Sequence, residues 1–127
     1  ATISSGNNVG QHLLVQAYAH PDYTAQKAAK FATLEARYRR IRRILREHHE
    51  YRNSFKAMPF NSGYFMCVKP IGIEAETVRQ CLIAEYQTGT IVLAGLLRLA
   101  FSSVPLEQLD TLFANLHDAI RKLKAAP

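Results

Sequence analysis

Residues 90–101 read Thr-Ile-Val-Leu-Ala-Gly-Leu-Leu-Arg-Leu-Ala-Phe and decide the fold class of the chain. Two short apolar runs, Thr90–Leu93 and Leu96–Phe101, lie on either side of Ala94-Gly95. Short runs rich in β-branched and apolar residues, bounded by turn residues, are typical of strands. The sequence therefore predicts two β-strands here, separated at Ala94-Gly95.

The segments on both sides complete a small sheet with helices. Tyr64–Val68 predicts a further strand, opened by Asn61-Ser62-Gly63 and closed by Pro70. Glu74–Tyr86 predicts a helix with Val78 and Leu82 facing inwards. Pro105 suits the first position of a C-terminal helix. The apolar residues of that helix repeat at intervals of three and four, at Leu106, Leu109, Phe113, Leu116, Ile120 and Leu123.

Two helices are predicted in the N-terminal third. The first covers Val9–Ala19, is capped by Asn7 or Asn8 and ends near His20 because Pro21 follows. Its inward residues would be Leu13, Leu14 and Ala17. The second runs from about Thr24 to Tyr51, long enough to join two bodies or follow a whole face. Its apolar stripe comprises Phe31, Leu34, Tyr38, Ile41, Leu45 and His48.

The predicted fold class is therefore α+β, with a small sheet of about three strands covered by helices and preceded by a long helix. The chain has 127 residues, 48% of them apolar and 20% charged, which is typical of one globular domain and excludes disordered and collagen-like proteins. Its longest apolar run, Ile91–Leu97, is too short to span a membrane, and the N-terminus lacks the pattern of a signal sequence. Cys67 and Cys81 show no metal-site spacing, so we expect two buried thiols in a cytoplasmic protein.

The positive charge is concentrated in one segment. The net charge is +6, and seven of the arginines lie between Arg37 and Arg52. Such a segment can neutralise phosphates, which would make the chain a standalone basic α+β module that binds nucleic acid or a protein partner. We favour a solvated helix face instead, because Tyr38 and Tyr51 fall on or near the apolar stripe and no nucleic-acid recognition motif accompanies the arginines. Nucleic acid and membrane are thus not the expected partners.

The histidines do not predict a metal site or a catalytic triad. His48 and His49 are adjacent, so their side chains point about 100° apart on a helix and cannot chelate one ion together. No H-E-x-x-H motif, nucleophile elbow or phosphate loop is present. We therefore predict no metal site and no catalytic residue in this chain.

Arg98 interrupts an otherwise apolar strand. A guanidinium keeps its charge, so burying it without an anion is costly. Two interpretations remain open from the strand alone. Either Arg98 faces solvent on one side of the sheet, or it lies in a cleft where it receives a carboxylate or a phosphate. Strand alternation places Leu96, Arg98 and Ala100 on one face and Leu97, Leu99 and Phe101 on the other.

Several segments together resemble the C-terminal, small domain of a fold-type I pyridoxal-phosphate-dependent aminotransferase, of the aspartate aminotransferase-like class I/II group. The similarity extends over essentially the whole chain, and the segments stand in the family's order: Ser4–Gly10 before an apolar helix, Ala19–Tyr23 before the arginine-rich helix, Asn61–Met66, and Leu97–Ser102. The resemblance implies that Arg98 binds the α-carboxylate of the substrate. It also implies that residues 1–20 are a tail helix at the end of a large domain and that residues 21–127 form the small domain.

The resemblance also shows what this chain lacks. None of the six lysines stands in the Ser-rich context of the family's cofactor lysine. The resemblance therefore implies a longer parent enzyme, a homodimer in which pyridoxal 5'-phosphate and the catalytic lysine belong to a large domain of the same protein. The chain itself would bind no cofactor and would not be an enzyme alone. The parent would act on amino acids and 2-oxo acids in amino-acid metabolism.

Overall fold

The computed structural model describes residues 7–61 and 63–126, and its fold class is α+β, as predicted. One antiparallel four-stranded sheet has the strand order β1-β2-β4-β3. In chain order, the helices and strands are α1 (Asn8–Ala19), α2 (Tyr23–Glu47), β1 (Phe55–Ala57), β2 (Met66–Pro70), α3 (Ala75–Tyr86), β3 (Ile91–Leu93), β4 (Leu96–Leu99) and α4 (Leu109–Ala125). Within these described ranges, no helix is both long and apolar enough to cross a lipid bilayer.

The chain separates into two compact units, Ala1–Thr33 and Leu34–Pro127, with the division inside α2. The expected boundary after residue 20 stays a prediction. In the first unit, the side chain of Asn7 accepts a hydrogen bond from the backbone N–H of Gly10 at 2.9 Å and so caps α1. No residue of α1 is buried, and Leu13 and Leu14 are more than half exposed. The prediction that they face inwards is wrong, because a short helix and the start of another supply too little apolar surface to cover them.

The second unit holds the hydrophobic core between one face of the sheet and the helices. Val78 and Leu82 of α3 are completely buried, as their spacing predicted. The other core side chains that are at most 2% exposed include Ile41, Ile44, Phe55, Met66, Val68, Leu97, Leu99, Phe101, Leu109, Phe113, Leu116 and Ile120. This single cluster packs the sheet against α3 and α4, so one face of the sheet is core and the other is open.

The C-terminal apolar stripe is confirmed from Leu109 onwards. Leu116 and Ile120 are fully buried and Leu123 packs at the edge of the core. Leu106 differs, since it is 43% exposed and belongs to a separate 3-10 turn, Leu106–Gln108. Pro105 has an extended backbone rather than the helical one predicted, so the α-helical phase starts only at Leu109.

The long helix is shorter than predicted and its buried face is slightly rotated. It ends at Glu47, and the 3-10 turn His49–Asn53 follows. That turn buries Tyr51 between the imidazole rings of His48 and His117, whose centroids lie 4.7 and 4.9 Å from the tyrosine ring. Ile44, which lay outside the predicted stripe, is buried, whereas Phe31 is 60% exposed.

The sheet has one strand more than predicted. β1 is only three residues long and Pro59 follows it closely, so its sequence shows no measurable alternation. β2 begins at Met66, two residues later than predicted. Ala94 and Gly95 both have positive φ, 49° and 75°, and connect β3 to β4 as a two-residue hairpin loop. Positive φ at both central positions matches the right-handed twist of the strands, which explains a glycine at the second position.

Candidate functional site

Arg98 lies on the open face of the sheet. Its strand neighbours Leu97 and Leu99 are buried on the core side, and Arg98 itself is half-buried. The alternation predicted from the sequence is confirmed over Leu96–Leu99, whereas Ala100 and Phe101 lie beyond the end of the strand. Of the two interpretations left open by the sequence, the structure shows the first, since Arg98 lies on the solvent side of the sheet. The binding of a carboxylate or a phosphate by Arg98 stays a prediction.

Apolar groups cover the Arg98 side chain. In the sheet register, Cys67 of β2 stands directly opposite Arg98 on one side and Ile91 of β3 on the other. The ring of Phe65 lies beside the guanidinium, with 4.5 Å from the carbon Cζ to the ring centroid. A cation at this distance from an aromatic ring is attracted to the ring face. Phe65 thus orients the guanidinium and leaves its edges to make hydrogen bonds.

No acidic side chain in residues 7–61 and 63–126 pairs with Arg98. The ion pairs of this part of the chain involve other cations, namely His20, Arg39, Arg40, Arg43, His48, Arg79 and Lys122. A half-covered guanidinium has lost part of its hydration without gaining a protein anion in this region. It is therefore suited to receive an external carboxylate through two parallel hydrogen bonds.

An open groove of about 630 Å³ runs along the same face beside Arg98. Its walls include Met58, Phe60, Phe65, Cys67 and Leu96. Among the residues that line the groove, Asn61 alone has an amide side chain. Strand alternation assigns Cys67 to one face of β2, but only the register of β2 against β4 shows that it stands opposite Arg98. The Met58–Asn61 wall follows the unpredicted β1, so no sequence signal pointed to it.

The segment after β4 is tied to two other parts of the unit. The backbone N–H of Ser102 donates to the carbonyl oxygen of Tyr64 at 3.3 Å, and Arg37 donates to the carbonyl oxygen of Ser102. Arg37 thus links α2 to the end of the strand that carries Arg98. This bond positions the strand end, and it is a role that the arginine-rich pattern did not reveal.

The arginine-rich segment is only in part the solvated face predicted from the sequence. Arg40 donates two hydrogen bonds to the carboxylate of Asp110, at 2.8 and 2.5 Å, and so joins α2 to α4. Arg39 and Arg43 pair with glutamates on their own helix, and Arg42 lies over the ring of Tyr38. Together with Arg37, five of the seven arginines have partners within the protein, which leaves less of the segment for phosphates.

We expect the Arg40–Asp110 pair to stabilise the second unit by about 1 kcal/mol, because it is bidentate and partly buried. The coupling energy is measurable by a double-mutant cycle with Arg40→Met and Asp110→Asn, using urea unfolding. The matched cycle on the exposed pair Arg43→Met and Glu47→Gln, 3.8 Å apart, should give about 0.3 kcal/mol. Equal couplings in the two cycles would show that Arg40 contributes no more than a surface arginine.

The cysteines and histidines do not form a second chemical site. Cys81 is buried, as predicted, and burial raises the pKa of its thiol. The prediction for Cys67 is wrong, since this thiol is half-exposed on the open face of the sheet. Nδ1 of His117 is hydrogen-bonded to the buried hydroxyl of Ser54 at 2.8 Å. In the part of the chain that the structure describes, no three His, Cys, Asp or Glu side chains are grouped to hold a metal ion.

No protein-family model matches the chain, and no curated protein is detectably similar to it.

Proposed function

We propose that the chain is the C-terminal, substrate-binding domain of a pyridoxal-phosphate-dependent aminotransferase, in which Arg98 binds the α-carboxylate of the amino acid. The observation that carries the proposal is the setting of Arg98. It lies in an open sheet face with apolar neighbours, an aromatic ring at 4.5 Å and no ion-pair partner in the described residues. The order of the resembling segments, from Ser4–Gly10 to Leu97–Ser102, supports the choice of family.

The lysines of this chain do not fit covalent attachment of the cofactor. A lysine that forms an imine needs a desolvated pocket that lowers the pKa of its amine. All six lysines are exposed. Lys122 pairs with Glu85, and Lys124 donates to the carbonyl oxygen of Asn53. The proposal therefore assigns pyridoxal phosphate, and all the bond chemistry that it supplies, to a large domain of the same protein.

The residues of this chain would bind and orient the substrate. Arg98 would hold the carboxylate through its planar guanidinium, and the ring of Phe65 would keep that plane in place. Because every amino acid has an α-carboxylate, this contact fixes orientation for the whole substrate class. Movement of the domain towards the large one would carry the carboxylate with it and exclude water.

The chain alone should not form a specific imine with pyridoxal phosphate. Its lysines are solvated, so the aldehyde should react slowly and without preference for one of them. Absorbance titration followed by borohydride reduction and peptide mapping measures this distribution. One stoichiometric adduct on a single lysine, accompanied by transamination, would contradict the assignment of the cofactor to another domain.

The proposed activity is tested on the protein that includes the sequence encoded upstream of this chain. That protein should bind pyridoxal phosphate and transfer the amino group of an amino acid to a 2-oxo acid. Absence of a cofactor lysine from the upstream sequence would refute the proposal and leave the basic α+β binding module as the alternative.

A further inference from the structure

The groove adjoins the row of the sheet that contains Arg98. Cross-strand pairing places Met58, Cys67, Arg98 and Ile91 in one row across the sheet, since the N–H of Met58 donates to the carbonyl of Cys67 at 2.9 Å. Met58 and Cys67 line the groove, so the groove adjoins Arg98 within that row. Phe65, which also lines it, touches the guanidinium itself.

The chemistry of the groove is apolar. Apart from the amide of Asn61, the lining side chains are hydrocarbon, thioether or thiol groups, and none is charged. The groove is shallow and open to solvent, with a volume of about 630 Å³. The lining itself offers a carboxylate no cation and only one hydrogen-bonding amide, whereas it offers an apolar group several hydrocarbon and sulfur contacts.

Two lysines of the sheet stand in the same row as Leu96, next to the row of Arg98 on the open face. Lys56 and Lys69 stand opposite each other in the register of β1 and β2, and both are exposed. Neither lines the groove. β1 is an edge strand, where an exposed lysine commonly prevents pairing with other chains. Continued by one residue, the register of β2 and β4 places Lys69 opposite Leu96, so this lysine stands at the border of the groove and is not part of its lining.

We infer that the groove receives the side chain of the substrate, and that this side chain is apolar and uncharged. Arg98 binds the one carboxylate, and the part of the molecule beyond it packs against Phe65, Phe60 and Met58. The substrate class is amino acids with branched aliphatic or aromatic side chains and the matching 2-oxo acids, rather than dicarboxylic ones. This inference rests on the proposed function.

The test is an NMR titration of the isotope-labelled 127-residue chain with 4-methyl-2-oxopentanoate and, separately, with 2-oxoglutarate. The apolar acid should bind at least about tenfold more tightly, because burying its extra methyl and methylene groups is favourable. Phe65→Ser should remove most of that preference. Tyr64→Ser is the matched control, since Tyr64 is a neighbouring exposed aromatic residue that does not line the groove, and the preference should persist.

The outcomes separate the inference from the proposed function. Suppose that both acids bind, that binding depends on Arg98, and that 2-oxoglutarate binds as tightly as the apolar acid or more tightly. This result overturns the apolar substrate class and leaves Arg98 as the carboxylate ligand. Unchanged binding of both acids in Arg98→Lys overturns the proposed role of Arg98. If neither acid perturbs the groove at tens of millimolar, the apolar substrate class is overturned, and the kinetics of the Arg98 variants of the full-length protein decide on the proposed function.

Discussion

Arg98→Lys should lower kcat/KM for amino acids by about 30- to 1,000-fold in the proposed full-length aminotransferase, which corresponds to about 2–4 kcal/mol of transition-state stabilisation. Lysine keeps the positive charge but cannot form the two parallel hydrogen bonds of the guanidinium, and its ammonium stacks less well on the ring of Phe65. Steady-state kinetics with saturating 2-oxo acid measures the effect.

The matched control is Arg46→Lys, the same substitution at an exposed position of α2. It should leave kcat/KM within about twofold of the wild-type value, as expected for a surface change. The cofactor absorbance of both variants should equal that of the wild type. If Arg98→Lys retained full activity, or if it lost the cofactor instead of the substrate, Arg98 would not be the carboxylate ligand.

Leu116→Ala should reduce the free energy of unfolding by about 2–5 kcal/mol. Leu116 is completely buried in α4 between the sheet and the other helices, so truncation leaves a cavity that its close-packed neighbours cannot fill. Urea denaturation followed by circular dichroism measures the change, and the m-value should stay constant.

Leu106→Ala is the control for that measurement, because Leu106 continues the same sequence periodicity but is 43% exposed in a 3-10 turn. It should cost less than about 1 kcal/mol. Equal losses at the two positions would mean that α4 begins before Leu109 and that Leu106 is part of the core.

Periodicity predicted the parts of the fold that bury one continuous face. The positions of α3 and α4 were predicted to within a few residues because a helix of three or more turns repeats its apolar residues several times. The alternation of β4 was equally clear, since Leu97 and Leu99 bracket a charged residue. That alternation also gave the face on which Arg98 lies.

The parts that failed depend on contacts distant in sequence. β1 forms only because its three residues pair with Lys69 and its neighbours in β2, a partner that its own sequence does not specify. The long helix ends at Glu47 because Tyr51 is drawn into the core against His117, 66 positions along the chain. The inward face predicted for α1 failed because amphipathic spacing describes what a helix can bury but not whether a covering layer exists.

The candidate site could be predicted only at its centre. Arg98 was identified as a charge in an apolar strand, whereas its neighbours Phe65 and Cys67 were not. Phe65 and Cys67 lie near Arg98 because of the register in which β2 pairs with β4. A change of that register by one residue would move every side chain of the strand to the other face of the sheet. The role of Arg37 at Ser102 likewise joins residues far apart in the sequence.

The central claim is that Arg98 recognises a carboxylate, and the most direct measurement compares an amino acid with the amine that lacks only that group. In single-turnover kinetics of the proposed full-length aminotransferase, Arg98→Lys should slow the reaction of leucine by about 30-fold or more and leave that of 3-methylbutylamine within about twofold. The amine offers the arginine nothing to bind, so the substitution should not affect it. Equal slowing of both substrates would contradict the claim, because Arg98 would then act on the domain or the cofactor rather than on the carboxylate.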